Sequence, residues 1–428
     1  NSTALEEALS LFEKATQLDP DYALAYVGQA DVLSLLNEYS DLTVTEMFAR
    51  GEPLIQKALA LDPLLAEAHT SQANYLHEKM QLKEAQRQFE YAITLNPNYA
   101  TAYHWYGNLA DRQGEKEKSL ALYQKAAELD PLSPVIQSNI GYKYIEKNQL
   151  DKAMQQFDRI IELVPDYAGG PNGKATVYAA QGDLVEALKW QLQSIAMDPG
   201  NLSRQTELIT LFLDLDMPVE AQAVVDKLSD LAPELEVLVF SQASVDLYQG
   251  QYQRAAERFE QHMQSPEGRL KFQGMWTFYQ MLMENYDEAI NSSLEMFPGD
   301  TPSGFAVNGS NFDTTIHLIW MWQQAGEFEK SKALMSQLKE YLDAHSEQQT
   351  TFKQAMIHAV EGDAVAAAVL FEQQFKSGDT RGFWQGGHMP MLDEVLNLPR
   401  TQQFLKSHAE NIQQQKAQAE QWLEETRT

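Results

Sequence analysis

The residue types that most often do chemistry are scarce or scattered in this sequence of 428 residues. It contains no cysteine, and therefore neither a thiolate nucleophile nor a thiolate metal ligand. Its nine histidines are dispersed, and even His69 and His77 lie eight positions apart, without the spacing that places two imidazoles on one metal. Gly382, Gly386 and Gly387 do not precede the Gly-Lys-Ser/Thr of a phosphate-binding loop. We therefore expect no enzyme activity, no cofactor and no metal site.

The balance of charge excludes further classes of ligand. The sequence has 61 acidic and 32 basic residues, which gives a formal net charge of −29. A field of that sign repels phosphate backbones and anionic lipids, so we expect no nucleic acid to bind this chain. No apolar run approaches the roughly 18 residues that a membrane helix needs. Any attachment to a membrane is expected through a span outside this chain.

Prolines mark a fixed period of 34 residues along the first part of the chain. Within each unit, two positions are mostly alanine or glycine and a third is mostly large and apolar, as in Phe89, Tyr123 and Phe157. Small residues let two helices cross closely, and a large residue fills the groove beside the crossing. Each unit is therefore predicted to be a helix, a short turn and a second helix. The prolines are Pro63, Pro97, Pro131, Pro165, Pro199 and Pro233.

Glycines such as Gly114, Gly182 and Gly250 fall midway through the units, where a residue that tolerates positive φ can end the first helix. This pattern resembles the tetratricopeptide repeat family, closely over residues 1–265 and loosely over residues 266–376. The resemblance implies an all-α fold, namely a right-handed superhelical solenoid of antiparallel helix pairs. Residues 377–428 leave the period and are predicted to form a loop rich in glycine and aromatic residues, followed by polar capping helices.

One unit has an unusual start, because Gly169, Gly170 and Gly173 fall in the first turns of its first helix. Each glycine weakens a helix by about 1 kcal/mol relative to alanine. Two interpretations remain open. The unit is a weak repeat, or residues 168–173 form a joint between two halves of the array.

The resemblance also implies where a partner binds, since the first helices of that family line a concave wall. Asn74 and Asn108 occupy the same inward position in consecutive units. An amide carries a donor and an acceptor, and it can pair with a peptide backbone whatever the side chains of the peptide are. The alternative is that these side chains are merely solvated. The other residues expected to contact a protein or peptide in the groove are His77, His104, Arg112, Tyr142, Asn172, Phe240 and Tyr248.

A second resemblance concerns the whole chain and rests on phrases such as residues 96–106 and 391–405. They are similar to the C-terminal repeat arrays of bacterial membrane-anchored winged-helix transcriptional regulators and of nucleotide cyclases. The resemblance implies a sensory or partner-recruiting region, with a DNA-binding output domain upstream. The chain starts on the second helix of a unit, which favours a fragment. Its location would be periplasmic if an upstream membrane span exists and cytoplasmic otherwise.

The alternative to a regulator is a free-standing scaffold for the assembly of a multiprotein complex. Both hypotheses require a protein or peptide partner and neither requires a cofactor. The sequence determines neither the identity of the ligand nor the oligomeric state.

Overall fold

The computed structural model describes residues 2–39, 42–231, 236–301, 303–308, 311–345, 350–376 and 383–427. Over these ranges the chain forms 24 α-helices and no β-strand, apart from an isolated bridge between Pro298 and Phe305. No helix in this part of the chain is both long and apolar enough to cross a bilayer. The expected all-α solenoid of helix pairs is confirmed.

The helices alternate between the first and second members of successive pairs, after a leading helix α1 (Ser2–Leu18). The pairs in chain order are α2 (Ala23–Tyr39) with α3 (Val44–Leu61), α4 (Ala66–Glu78) with α5 (Leu82–Leu95), α6 (Ala100–Arg112) with α7 (Lys116–Leu129), α8 (Pro134–Glu146) with α9 (Leu150–Leu163), α10 (Gly169–Gln181) with α11 (Leu184–Met197), α12 (Leu202–Asp214) with α13 (Pro218–Leu231), α14 (Glu236–Tyr248) with α15 (Tyr252–His262), α16 (Pro266–Leu282) with α17 (Tyr286–Met296), α18 (Phe312–Gln324) with α19 (Phe328–Ala344), and α20 (Thr351–Val360) with α21 (Ala364–Lys376).

The last part of the chain departs from the pairs. Two short helices, α22 (Phe383–Gly386) and α23 (Asp393–Leu396), flank a 3₁₀ turn at Pro390–Leu392 and lead into the long helix α24 (Pro399–Arg427). Met391, Leu392 and Val395 are buried in the same apolar core as the last helix pairs. Of the predicted loop at 377–388, residues 377–382 lie outside the described residues, and Phe383–Gly386 form the short helix α22 instead of a loop.

From the α4–α5 pair to the α20–α21 pair, each turn inside a pair contains a residue with positive φ. Gly114 and Gly182 have φ values of 77° and 81°, as their position in the sequence predicts. Elsewhere the same place is taken by a residue with a side chain, as at Met80 (φ 60°) and Asp216 (φ 56°). A left-handed conformation costs such a residue roughly 1–2 kcal/mol, so the geometry of the turn overrides the local preference of the chain.

Helices within a pair meet at the small residues that the sequence pattern singles out. A Cβ atom on Gly107 would lie 2.5 Å from the ring of Tyr123, and one on Gly141 would lie 2.6 Å from the ring of Phe157. Phe157 is fully buried, with an exposed fraction of 0%. The aromatic residue of the second helix therefore packs directly on the backbone of the first.

The chain divides into two compact units. Unit 1 comprises Asn1–Lys174 with Ser194–Asn201, and unit 2 comprises Ala175–Gln193 with Leu202–Thr428. Unit 1 holds small apolar clusters, one around each helix pair or two. Unit 2 holds one continuous core that extends from Val239 to Val395.

The glycines of the predicted joint lie at the end of unit 1 and are closely packed. A Cβ atom on Gly173 would lie 2.0 Å from the Phe157 ring, and one on Gly170 would lie 2.7 Å from Cγ1 of Ile161. These glycines let the start of α10 approach α9. The joint itself stays a prediction.

Candidate functional site

The first helices of unit 1 form the framework of the candidate site. Helix α2 contacts α4, and α4 contacts α6, whereas the second helices pack mainly against the first helices on either side of them. The family resemblance implies that these first helices line the concave side of the array. We call their shared surface the inner wall. It carries the predicted site residues Asn74, His77, His104, Asn108, Arg112, Tyr142 and Asn172.

The two asparagines at equivalent positions are half-buried and each has one end of its amide engaged. Nδ2 of Asn74, on α4, donates to Oγ of Ser34 on α2 at 2.9 Å. Oδ1 of Asn108, on α6, accepts a hydrogen bond from the hydroxyl of Tyr123 at 2.8 Å. The remaining end of Asn74 is therefore an acceptor, and the remaining end of Asn108 is a donor.

His104 is a neutral, fixed part of the inner wall. Its Nε2 lies 2.9 Å from Nδ2 of Asn139 on α8, so that Nε2 accepts and Nδ1 carries the proton. Burial lowers the pKa of His104 to about 4. The imidazole is therefore uncharged at neutral pH.

Tyr142 and Asn172 connect the next two first helices. Nδ2 of Asn172 donates to the Tyr142 hydroxyl at 3.1 Å, and the Tyr142 ring packs edge-on against Phe157 at 5.3 Å between centroids. Asn172 is buried, with an exposed fraction of 6%. Of this pair, only the half-buried ring of Tyr142 is accessible on the surface of the wall.

His77 and Arg112 lie near each other at the C-terminal ends of α4 and α6. His77 is 5% exposed, and neither ring nitrogen has a hydrogen-bond partner among the described residues. Burial, followed by the nearby charge of Arg112, lowers the pKa of His77 to about 4. Nη1 of Arg112 contacts Sδ of Met80 at 3.1 Å, and its Nη2 lies 3.9 Å from Oε1 of Glu78. Of these two residues, Arg112 is therefore the one that offers an accessible cation.

These contacts belong to a larger series, which we call the inner-wall ladder. In it, polar side chains on successive first helices bind each other across the repeat boundary. The contacts that sequence reasoning missed include Ser71 with Asp31 and Lys143 with Asp111. Lys143 is 4% exposed and also binds Oε1 of Glu146 at 2.6 Å. The sequence did contain a signal for such contacts, namely a common separation: Met80 and Arg112 are 32 residues apart, and so are Asp111 and Lys143.

The structure places the other two predicted residues, Phe240 and Tyr248, in unit 2. The Phe240 ring packs against Phe259 and Phe272, with centroids 5.5 and 5.4 Å away, and so contributes to the core. The Tyr248 hydroxyl donates to Oδ1 of Asp216 at 2.5 Å, and its ring meets Trp384 at 5.2 Å. Segments from the end of the chain therefore cover the surface around Tyr248.

The donor set of the described residues is suited to hydrogen bonding rather than to holding an ion. No group of three or more histidine, aspartate or glutamate side chains within the described ranges is arranged to bind a metal. The inner wall offers amides, hydroxyls, one accessible guanidinium and an aromatic ring. Such a surface can bind a polar, extended ligand.

Comparison with known proteins agrees with this architecture. Residues 72–134 and 139–201 match the family model described as tetratricopeptide repeat. The chain is similar to protein O-mannosyl-transferase TMTC3 of Homo sapiens, with 25% identity over 253 residues, or 57% of this chain and 28% of that protein. It is also similar to mitochondrial import receptor subunit TOM70 of Mus musculus, with 26% identity over 162 residues, or 37% of this chain and 26% of that protein.

The chain thus spans about a quarter of the length of these curated relatives. Among solved structures, a tetratricopeptide repeat protein from Parabacteroides merdae shares 20% identity and a TM-score of 0.44, and the match covers 53% of this chain and 90% of that one. The two matched stretches contain most of the inner wall, from α4 to α10. Residues 72–134 and 139–201 therefore belong to the tetratricopeptide repeat family, whose repeats are typical of protein–protein interaction.

Proposed function

We propose that unit 1 binds an extended peptide segment of a protein partner along the inner wall. The observation that carries this proposal is a pair of asparagine amides on consecutive repeats, each with one end hydrogen-bonded within the unit and the other end available. Asn74 keeps an acceptor and Asn108 keeps a donor, because Ser34 and Tyr123 engage their other ends. A peptide backbone repeats an N–H donor and a C=O acceptor along its length, so one peptide group can donate to Asn74 and another can accept from Asn108.

The spacing of the wall supports an extended ligand. Packed helices lie about 8–10 Å apart, and an extended chain advances about 3.3 Å per residue. Consecutive repeats would therefore meet peptide groups about three residues apart. Because such contacts involve the main chain, selectivity would come from the accessible neighbours Arg112 and Tyr142.

The charges of the wall favour a neutral or basic segment over an acidic one. Its cations are already paired, Arg112 with Glu78 and Lys143 with both Asp111 and Glu146. The chain as a whole carries a net charge of −29, which speeds the encounter with cationic partners.

The test begins with a peptide selected from a random library on the full chain. Asn74→Ala and Asn108→Ala should each weaken binding of that peptide by about 1 kcal/mol, or about fivefold, because each removes one hydrogen bond. Fluorescence polarisation would measure the dissociation constants, and melting curves would show that each variant is still folded at the assay temperature, since each change also removes one internal hydrogen bond. A double variant that binds the peptide as tightly as the natural chain does would refute the proposal.

Two control variants separate a direct contact from an indirect one. Asn98→Ala removes an exposed amide from the loop before α6 and should leave binding unchanged. Tyr123→Phe removes the hydroxyl that holds Asn108 while keeping the amide. It should weaken binding less than Asn108→Ala does, since the donor of the amide is still present.

We further propose that this binding serves the regulator that the resemblance of residues 96–106 and 391–405 implies, with the chain as its partner-recruiting region. The alternative is the free-standing scaffold. The sequence that precedes Asn1 in the gene product distinguishes the two. A winged helix with one apolar span supports the regulator, and a secretion signal supports the scaffold.

A further inference from the structure

Helix α24 has a narrow buried stripe on an otherwise polar surface. Thr401, Ile412 and Ala419 are buried, with exposed fractions of 5%, 8% and 0%. They are spaced by 11 and 7 residues, or about three and two helical turns, so they lie on one side of the helix. Eleven of the remaining positions are exposed glutamine, glutamate or lysine. The helix therefore has one contact face, which also includes the half-buried side chains of Phe404, Leu405, Trp422 and Leu423.

That face meets the turns of earlier repeats in unit 2. Gln415 bonds the backbone of the α10–α11 turn twice, since its Nε2 donates to O of Gly182 at 2.9 Å and its Oε1 accepts from N of Leu184 at 2.7 Å. Nζ of Lys416 donates to O of Asp216 at 2.6 Å, in the following turn. We call the surface formed by Gly182, Leu184, Asp216 and Tyr248 the turn face.

Asp216 is the centre of the turn face. One of its carboxylate oxygens accepts from the Tyr248 hydroxyl, and the other accepts from Nε2 of Gln413 at 2.8 Å and lies 3.2 Å from Nζ of Lys416. A hydroxyl from the repeats thus orients the carboxylate, and two side chains three positions apart on α24 bind it. The turn face recognises a pattern of amide and cation along a helix.

The docking of α24 has the properties of a reversible contact. The side chains of Lys416 and Asp216 are 26% and 37% exposed. Ion pairs between side chains this accessible contribute little to stability. A cavity of about 330 Å³ remains between the helix and the turn face, lined in part by Leu213, Trp384 and Ile412. The part of the interface around Asp216 is polar and incompletely filled, unlike the core of a permanent contact.

We propose that α24 is a displaceable occupant of a helix-binding surface, and that a basic, glutamine-containing amphipathic helix of a partner protein replaces it on the turn face. The partner would carry an amide for the backbone of Gly182 and Leu184 and a cation for Asp216, as Gln415 and Lys416 do. While α24 is docked, the surface is closed to other helices. This inference concerns unit 2 and is independent of the peptide site in unit 1.

The test uses the full chain and a fluorescent peptide with the natural sequence of residues 399–427. In a release variant, Gln415→Ala and Lys416→Glu remove the hydrogen bonds of Gln415 and the ion pair of Lys416, while keeping good helix formers. The matched control carries Gln414→Ala and Lys406→Glu, the same changes at exposed positions of the same helix. Hydrogen exchange of α24 and the affinity for the peptide are measured for each chain.

In the natural chain and the control, the tethered α24 competes at an effective concentration on the order of 1 mM, so the peptide should bind weakly. The release variant should bind it at least tenfold more tightly and exchange the amides of α24 faster. Asn108→Ala should change neither result.

Three results would overturn the proposal. Unchanged protection of α24 in the release variant, or loss of helix elsewhere in unit 2, would make α24 a fixed brace. A released α24 without any gain in peptide binding would show that the turn face does not bind helices. A peptide with Lys416→Glu that bound as tightly as the natural one would show that Asp216 does not select the cation.

Discussion

Replacing Gly173 by alanine tests how closely the helices of unit 1 pack. A Cβ atom there would lie 2.0 Å from Cε1 of Phe157, whereas carbon atoms in contact are about 3.5 Å apart. The ring or the helix must therefore move by roughly 1.5 Å. The ring has little room, because it is fully buried and its other side faces Gly141.

Two opposing effects determine the size of the change. Alanine gains about 1 kcal/mol over glycine in a helix, and overpacking of a filled core costs about 1–3 kcal/mol. Since the overlap is large, we expect Gly173→Ala to lower the free energy of unfolding by about 1–2 kcal/mol net. At this size of unit, that corresponds to a fall in melting temperature of about 4 °C.

The assay is thermal and urea denaturation of the full chain, followed by circular dichroism. Gly200→Ala is the matched control in the same unit, because a Cβ there would meet no atom within 4 Å. Combining Gly173→Ala with Phe157→Leu should destabilise the chain by less than the sum of the two changes, because the smaller side chain relieves the overlap. If Gly173→Ala proves as stable as Gly200→Ala, the close packing is refuted, and the joint at residues 168–173 becomes the better explanation of the glycines.

Three further predictions concern charged groups. Burial raises the pKa of Asp31 to about 7 despite its hydrogen bond from Ser71. The free energy of unfolding should therefore fall by about 1.4 kcal/mol for each pH unit between pH 5 and pH 7. Melting curves of Asp31→Asn should lack this pH dependence. Asp246→Ala should lower the free energy of unfolding, measured by urea denaturation, by about 3 kcal/mol. The reason is that Arg258 loses its ion pair with the Asp246 carboxylate, a residue that is 1% exposed. Burial raises the pKa of Asp216, but hydrogen bonds from its three side-chain partners lower the pKa overall. The docking of α24 should therefore be lost as the pH falls below the ordinary aspartate range. Hydrogen exchange of α24 at pH 3 and pH 6 would measure the loss.

The helix pairs could be predicted from the sequence because their cause is local and repeated. Small residues such as Gly107 and Gly141 recur 34 positions apart, and the aromatic residues that pack on them recur with the same period. The turns could be predicted only in part. Met80 and Asp216 take the positive φ that glycine takes elsewhere, since two packed helices fix the path of the turn between them.

The candidate site was less accessible to sequence reasoning, because its contacts cross repeat boundaries. The inward positions identified Asn74 and Asn108, but not the partners that engage one end of each amide. Ser34 lies 40 residues before Asn74, a separation that departs from the 34-residue period. The docking of α24 was more remote still, since Gln415 contacts Gly182 across 233 residues and no repeat relates them.

The inner-wall ladder has a mechanical consequence for unit 1. Its bonds join successive first helices, which the family resemblance places on the inner side of the curve, as between His104 and Asn139 and between Tyr142 and Asn172. Straightening the unit would lengthen that side and pull these bonds apart, whereas tighter curling would compress them. Unit 1 should therefore resist extension more strongly than contraction, and a peptide that spans several repeats would add to the resistance by bridging the same boundaries.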